Sequence, residues 1–451
     1  MSKYMDLYKE KLTTTTEAVK CVKSGDWVWY GMFTMAPPGL DAALADRAGE
    51  LKDVKVMGIS TLFDVQVAVK DPGHKSFIYH SGHQSAYERH LSDDNLCYHV
   101  VGSYGLCPHN LNKGYMGGWP NVAMVMTTPM DENGFFNFGP SCSYIKDVCD
   151  LSQYVIVEVN ENVPWCLGGC KEAIHISEVT HIVENTVPMR AFPAEIPATP
   201  EEKKIANLLV ERIQNGSCLQ FGIGGMPQTI GKILAYEADL KDLGIHSEMF
   251  ADCFVDLVEQ GVVNGKKKNV DTGKITYTFA IGSQRMYDFM DRNPVCLTYP
   301  AEITNSPERI GLLDNMVAIN NSVQVDLFTQ INSESNGPRQ ISGAGGQLDF
   351  TIGCLRSKGG QSYICMTSTR SAGGKLISRI VPTLSPGSIV TVPRHYASNI
   401  CTEYGIVNVA GKSLYARAEL LISIAHPDFR DELVKAAQDL NIWTKTNKID
   451  Y

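Results

Sequence analysis

One arrangement of residues occurs twice in this chain, and it constrains the fold more than any other feature. Residues 25–31 read GDWVWYG and residues 216–222 read GSCLQFG, each a six-residue step between glycines around an apolar run. A proline-bearing turn and a helical pattern follow both, TMAPPGLDAAL at 34–44 and IGGMPQTIGKIL at 223–234. Then come LKDV at 51–54 and LKDL at 240–243, 20 residues after the second glycine in one copy (31 to 51) and 18 in the other (222 to 240). An apolar strand, a turn and a helix in that order form the repeating unit of a parallel sheet. The duplication therefore predicts an α/β protein of two similar open domains with mainly parallel sheets. Between the copies, PMRAFPAEIPATPEE (188–202) holds four prolines, which block helix and sheet pairing alike. It reads as an extended linker separating an N-terminal domain, 1–190, from a C-terminal domain, 201–451, that carries Glu248.

Short apolar runs alternate with helical patterns along both parts. VAMVMTT (122–128), YVIVEV (154–159), MVAIN (316–320), SYICMT (362–367) and SIVTV (388–392) read as buried strands. KITYTFAIG (274–282) alternates apolar and polar residues, which predicts a half-exposed strand antiparallel to its partner. HPDFRDELVKAAQDL (426–440) carries Phe429, Leu433, Ala437 and Leu440 at helical spacing, with Pro427 in the first turn.

Composition removes several classes of function. The formal net charge of −9 comes with no basic stripe interleaved with aromatics, so nucleic acid is not an expected partner. Lys266, Lys267 and Lys268 follow Asn264-Gly265 and read as a hairpin tip. No apolar run approaches the roughly 20 residues that cross a bilayer, and the charged start MSKYMDLYKEKL is no secretory signal. The 13 cysteines are scattered; Cys166 and Cys170 come closest to a pair, without the partners a zinc site needs. Buried thiols in a reducing cytoplasm are expected.

Within GIHSEMFADCFVDLVEQGVV (244–263), Glu248 is an acidic side chain in an apolar stretch. Carboxylates seldom stay among residues such as Met249, Phe250 and Phe254 without a partner or a task. A lone Glu there also fits a helix cap. Two glycine clusters accompany it, CLQFGIGGMPQ (218–228) and SGAGGQLDF (342–350). In the first, Gly222, Gly224 and Gly225 follow a strand and Pro227 opens a helix, so backbone N–H groups can meet an anion. A ligand-free βα turn explains the same residues equally well. Pro227 occupies the third glycine position of a dinucleotide fingerprint and excludes it. In the second, Gly343, Gly345 and Gly346 could bring amides to a developing negative charge. Lys375, after two glycines in TRSAGGKLISR (369–379), could reach a phosphate, though a solvated loop lysine fits better. His246 shares a strand face with Glu248, and an unrelated histidine is the simpler reading.

Taken in order with DENGFFNFGPS (131–141), TEYGIVNVAGKS (402–413) and RAELLISIAHPDFRDEL (417–433), these stretches resemble the glutamate-dependent coenzyme A transferases. Within them the chain is most similar to the 4-hydroxybutyrate, butyryl-CoA:acetate and acetyl-CoA hydrolase/transferase group. The resemblance implies that Glu248 is the catalytic glutamate. It implies that Gly222, Ile223, Gly224, Gly225 and Met226 contact CoA, and that Gly343, or Gly345 or Gly346, helps form an oxyanion hole. Asn321 and Lys375 extend that site beyond clear motif matches. The implied partners are acyl-CoA and short-chain carboxylic acids, butyryl-CoA with acetate first and 4-hydroxybutyryl-CoA second. No metal or redox cofactor is expected, CoA thioester being a substrate; a homo-oligomer is an open expectation. Two alternatives share the residues: an acyl-CoA hydrolase using the same glutamate, and a non-enzymatic CoA- or sugar-phosphate-sensing protein.

Overall fold

A computed structural model describes residues 3–192, 197–222 and 224–443. The chain forms two compact units, one of residues 1–193, 247–250 and 274–305, the other of 194–246, 251–273 and 306–451.

The first unit is built on seven parallel strands: β1 (Trp27–Tyr30), β2 (Val54–Gly58), β3 (Phe77–Ser81), β4 (Tyr98–His99), β5 (Val122–Thr127), β6 (Tyr154–Val159) and β7 (His181–Glu184). Their order is β4-β3-β2-β1-β5-β6-β7, with the first strand of the glycine repeat near the centre. All six residues of β5 are buried, as a strand covered on both faces requires. Helix α1 (Pro38–Ala45) follows β1 and packs Leu40 and Leu44 into a core with Val28, Val56 and Met124. The same unit holds Ile275–Tyr277 paired with Cys296–Thr298, and Met249–Phe250 paired with Phe279–Ala280, both parallel.

The second unit repeats the plan. Its strands β8 (Cys218–Phe221), β9 (Gly244–His246), β10 (Met316–Asn321), β11 (Gln361–Cys365), β12 (Asn399–Thr402) and β13 (Gly405–Asn408) run in the order β9-β8-β10-β11-β12-β13. Only the β12–β13 pairing is antiparallel. Helices α2 (Pro200–Val210), α3 (Gly225–Tyr236) and α4 (Gln347–Arg356) belong to this unit. LKDV and LKDL each lead directly into the second strand of their sheet, β2 and β9. Two similar α/β units with mainly parallel sheets are what the duplication implied.

Four local expectations need correction. KITYTFAIG breaks at Thr278 into two buried parallel segments, because Thr276 and Thr278 are as buried as the apolar residues between them. Residues 388–392 form no strand: Pro386-Gly387 and Pro393 confine them, and only Val392 bridges, to Ile331. Lys268 is no solvated tip residue; it is 5% exposed and donates from Nζ to the Ile245 carbonyl at 2.8 Å. Of the proline segment 188–202, residues 193–196 lie outside the described residues. Its end is helical, for Thr199 and Glu202 form a capping box on α2 with Pro200 at the first position. Among the described residues no helix is long and apolar enough to cross a membrane.

Candidate active site

Glu248 lies in the first unit and not in the C-terminal one expected from the linker, because residues 247–250 and 274–305 pack with that unit; it stands two residues beyond His246, the last residue of β9. Its carbonyl accepts from the N–H groups of Thr278 at 3.0 Å and Phe279 at 3.3 Å, which fixes the backbone. Met249 and Phe250 are buried beyond it, and the Phe250 ring meets Tyr277 edge-on at 5.4 Å. Apolar anchors on one side and backbone bonds on the other leave the carboxylate half-buried. Oε2 accepts from Asn305 Nδ2 at 2.5 Å. Asn305 is fully buried just after the short helix Ala301–Thr304, whose Ala301 carbonyl accepts its backbone N–H. Its Oδ1 has no hydrogen-bond partner among the described residues. An amide whose N–H₂ faces a carboxylate fixes that oxygen of the carboxylate in place.

Aromatic rings close the same neighbourhood. Phe33 stacks on Phe279 with centroids 3.7 Å apart and planes at 10°, and Tyr104 meets both edge-on at 6.1 and 6.0 Å. The Tyr104 hydroxyl is hydrogen-bonded to Ser143 Oγ, which also reaches Met32 Sδ at 2.8 Å. Burial above all, with the nearby Glu248 charge adding to it, holds the Tyr104 phenol well above its ordinary pKa. It therefore acts as a neutral hydroxyl. Phe33 has φ +56°, a left-handed conformation that is costly for a bulky residue and common at functional positions. The ring lines a cleft of about 530 Å³ in this unit, shared with Thr34, Pro38, Leu62, Phe63 and Met126. The size and apolar lining suit a small organic ligand.

The remaining sequence candidates lie in the second unit, at the carboxyl ends of its parallel strands. Gly222 follows β8 directly; Gly224, with φ +129°, is the N-cap of α3, and Gly225 and Met226 form its first turn. Ile223 lies outside the described residues. The N-cap of α3, Gly224, has no side chain to cap with, and no acidic residue stands in the helix's first turn. Asn321 ends β10, the neighbour of β8. Gly346 is the N-cap of α4, Gly345 has φ +55° and Gly343 is buried. Gln347, the first residue of α4, donates from Nε2 to the Asn321 carbonyl at 3.0 Å, tying the SGAGG turn to the end of β10. Ligands of open α/β sheets bind beyond such carboxyl ends. Lys375 stands apart, exposed on a hairpin whose Gly373-Gly374 turn joins Thr369–Ala372 to Lys375–Ser378. Among the described residues no group of histidines, cysteines and acids could hold a metal ion. All thirteen cysteines are free thiols.

Asn305, Tyr104, Phe33 and Phe279 were not singled out from the sequence. The first sits in ITNSPER, where Asn before Ser-Pro reads as a helix end. Only the tertiary fold brings it to Glu248.

The family profile described as the acetyl-CoA hydrolase/transferase N-terminal domain matches residues 1–192, and that of the corresponding C-terminal domain matches 282–437. Butyryl-CoA:acetate CoA-transferase of Anaerostipes caccae is 45% identical over 99% of this chain and 100% of its own. RipA of Yersinia pestis superposes with a TM-score of 0.87 at 35% identity, over 98% of this chain and 100% of that one. The 4-hydroxybutyrate CoA-transferase of Porphyromonas gingivalis gives 0.76 at 30% identity, over 97% and 100%.

Proposed function

Since the chain belongs to the acetyl-CoA hydrolase/transferase family, we propose that it transfers coenzyme A from a short-chain acyl-CoA to a carboxylate acceptor through a covalent intermediate on Glu248. Butyryl-CoA with acetate is the first pair to test and 4-hydroxybutyryl-CoA the second, after the activities named for the similar proteins. The observation that carries the reading is the Glu248–Asn305 bond: a half-buried carboxylate held at one oxygen by a buried amide.

The chemistry follows from those groups. A carboxylate is a weak nucleophile in water, and proximity to a bound thioester can contribute about 7–11 kcal/mol. Glu248 attacks the thioester carbonyl, the C–S bond breaks, and CoA thiolate leaves an acyl–glutamyl anhydride. The thiolate attacks the glutamyl carbonyl; the bond from that carbon to the bridging oxygen breaks, and the first carboxylate departs with that oxygen. A glutamyl-CoA thioester remains, and a second carboxylate runs the steps in reverse. Each tetrahedral oxyanion calls for backbone donors, worth about 3–4 kcal/mol apiece. We assign that role to the SGAGG turn, Gly343 first, and CoA contact to Gly222–Met226. Thioester energy is carried through, so no redox partner enters the scheme. Thirteen free thiols suit a reducing cytoplasm as the place of reaction.

Intact-mass analysis after mixing with acyl-CoA alone tests the scheme. A CoA-sized adduct mapping to the Glu248 peptide, absent from Glu248→Ala, is expected. An active enzyme that never carries the adduct overturns it. Release of free CoA without added carboxylate, faster than exchange, makes the protein a hydrolase.

A further inference from the structure

Ser143 stands where the first unit gathers the parts of the Glu248 site. Its φ is +47°, in the left-handed region where glycine is the default residue, and its side chain is fully buried. A serine persists in that conformation only where its surroundings over-determine it. Here they do. The Ser143 N–H donates to the Thr278 carbonyl at 3.1 Å, and the Thr278 N–H donates in turn to the Glu248 carbonyl at 3.0 Å. The Ser143 carbonyl accepts from the Ala301 N–H at 2.7 Å, at the start of the short helix that brings Asn305 to the carboxylate. One residue thus ties down the backbone behind Glu248 and the amide beside it.

Glycine would serve both backbone bonds without the conformational cost, so the side chain needs its own account. Ser143 Oγ is hydrogen-bonded to the Tyr104 hydroxyl and lies 2.8 Å from Met32 Sδ. Tyr104 sets its ring edge-on to Phe33 and Phe279. Phe33, at φ +56°, is a second left-handed residue against the same ring, and Phe279 donates its own N–H to the Glu248 carbonyl at 3.3 Å. We propose that Ser143 is a positioning residue for Glu248: its backbone keeps the nucleophile and Asn305 in register, and its hydroxyl locks Tyr104 against the Phe33–Phe279 stack. The proposal rests on the transfer reading above and adds what holds the nucleophile still. A reacting group tolerates little play, since a displacement of about 1 Å can cost roughly a hundredfold in rate.

Rapid-quench measurement of glutamyl-CoA formation, beside steady-state kinetics, tests it on the full-length protein. Each variant is assayed well below its own melting temperature. Ser143→Gly keeps the two backbone bonds and removes the hydroxyl. Adduct formation is expected to slow about tenfold, with KM for acyl-CoA within about twofold of wild type. Tyr104→Phe removes the other half of the same hydrogen bond and should slow the step to the same degree. Because the two groups act as one, the double variant should be no slower than either single one. A Ser143→Gly enzyme that forms the adduct at the wild-type rate overturns the proposal and leaves the transfer reading intact. So does a double variant slowed by the product of the single effects, or a loss confined to KM. A wild type that never forms the adduct sinks the transfer reading and the proposal with it.

Discussion

Gly31 and Gly222 hold the same place in the two repeats, each one residue beyond the first strand of its sheet. Their surroundings differ. A Cβ on Gly31 would lie 2.1 Å from the Met35 carbonyl oxygen, inside the turn that carries Phe33. A Cβ on Gly222 would meet nothing within 4 Å among the described residues. The helices that follow differ in the same sense. At the N-terminus of α1, the fully buried Glu158 accepts from the N–H groups of Gly39 at 3.1 Å and Leu40 at 2.8 Å, and from Asn185 Nδ2 at 2.8 Å. At α3 the N-cap residue is Gly224, which has no side chain to cap with. A helix start attracts negative charge. The first copy meets that demand with a carboxylate of its own unit. Under the proposed CoA contact, the second copy would meet it with the ligand.

The largest effect that could break this contrast is the loss of Glu158. Glu158→Ala leaves two helix N–H groups and the Asn185 amide without their acceptor in a dry core. It is expected to cost about 3–5 kcal/mol of stability, read from denaturant midpoints. Glu158→Gln, which retains one acceptor oxygen, should cost clearly less. Equal and negligible losses would mean that the first helix start needs no internal anion. Next comes Gly31→Ala. Its φ is one that alanine adopts, so the clash with the Met35 carbonyl alone should cost about 2–3 kcal/mol by overpacking. Chemical denaturation that places this variant with the wild type would remove the idea that Gly31 is structural.

Glu158 and Glu248, both in the first unit, sharpen the same point. Glu158 is wholly buried, whereas Glu248 is half-buried with Asn305 on one oxygen. Asn305→Ala removes a hydrogen bond to a charged group, worth about 1.5–3 kcal/mol. The rate of glutamyl-CoA formation should fall tenfold to a hundredfold, with little change in KM for acyl-CoA. A pre-steady-state rate within twofold of wild type would mean that Asn305 does not aim the nucleophile.

How far the sequence reveals this molecule follows from range. The repeats were legible because strand, turn, helix and the next strand lie within about thirty residues, where spacing reports directly on structure. Glu248 was legible because a carboxylate is conspicuous among Met249, Phe250 and Phe254. Its partner was not: Asn305 arrives from 57 positions away (248 to 305) through the burial of a short helix, and nothing in ITNSPER announces it. Thr276 and Thr278 misled because their hydroxyls suggest solvent while the backbone keeps them inside. Lys268 misled likewise, since its burial depends on a carbonyl of β9 that spacing cannot place. Gly31 and Gly222 are the limiting case. Their places in the repeat match, and what separates them is whether the turn that follows folds back into the space a side chain would take.

That difference gives the smallest and most specific test. Gly222→Ala adds one methyl group to a position with ordinary backbone geometry and open space beside it. No described residue stands in its way, so stability is expected to stay within about 0.5 kcal/mol of wild type. If CoA approaches the backbone there, the methyl group stands in its way. KM for acyl-CoA should then rise about tenfold, close to 1.4 kcal/mol, while KM for the carboxylate acceptor stays within about twofold. Steady-state kinetics with each substrate varied in turn separates the two. A variant that loses stability instead would make Gly222 a scaffold glycine like Gly31. One that changes neither quantity would leave the open space at Gly222 without a ligand, and the contrast between the two copies would have to be sought at the helix starts alone.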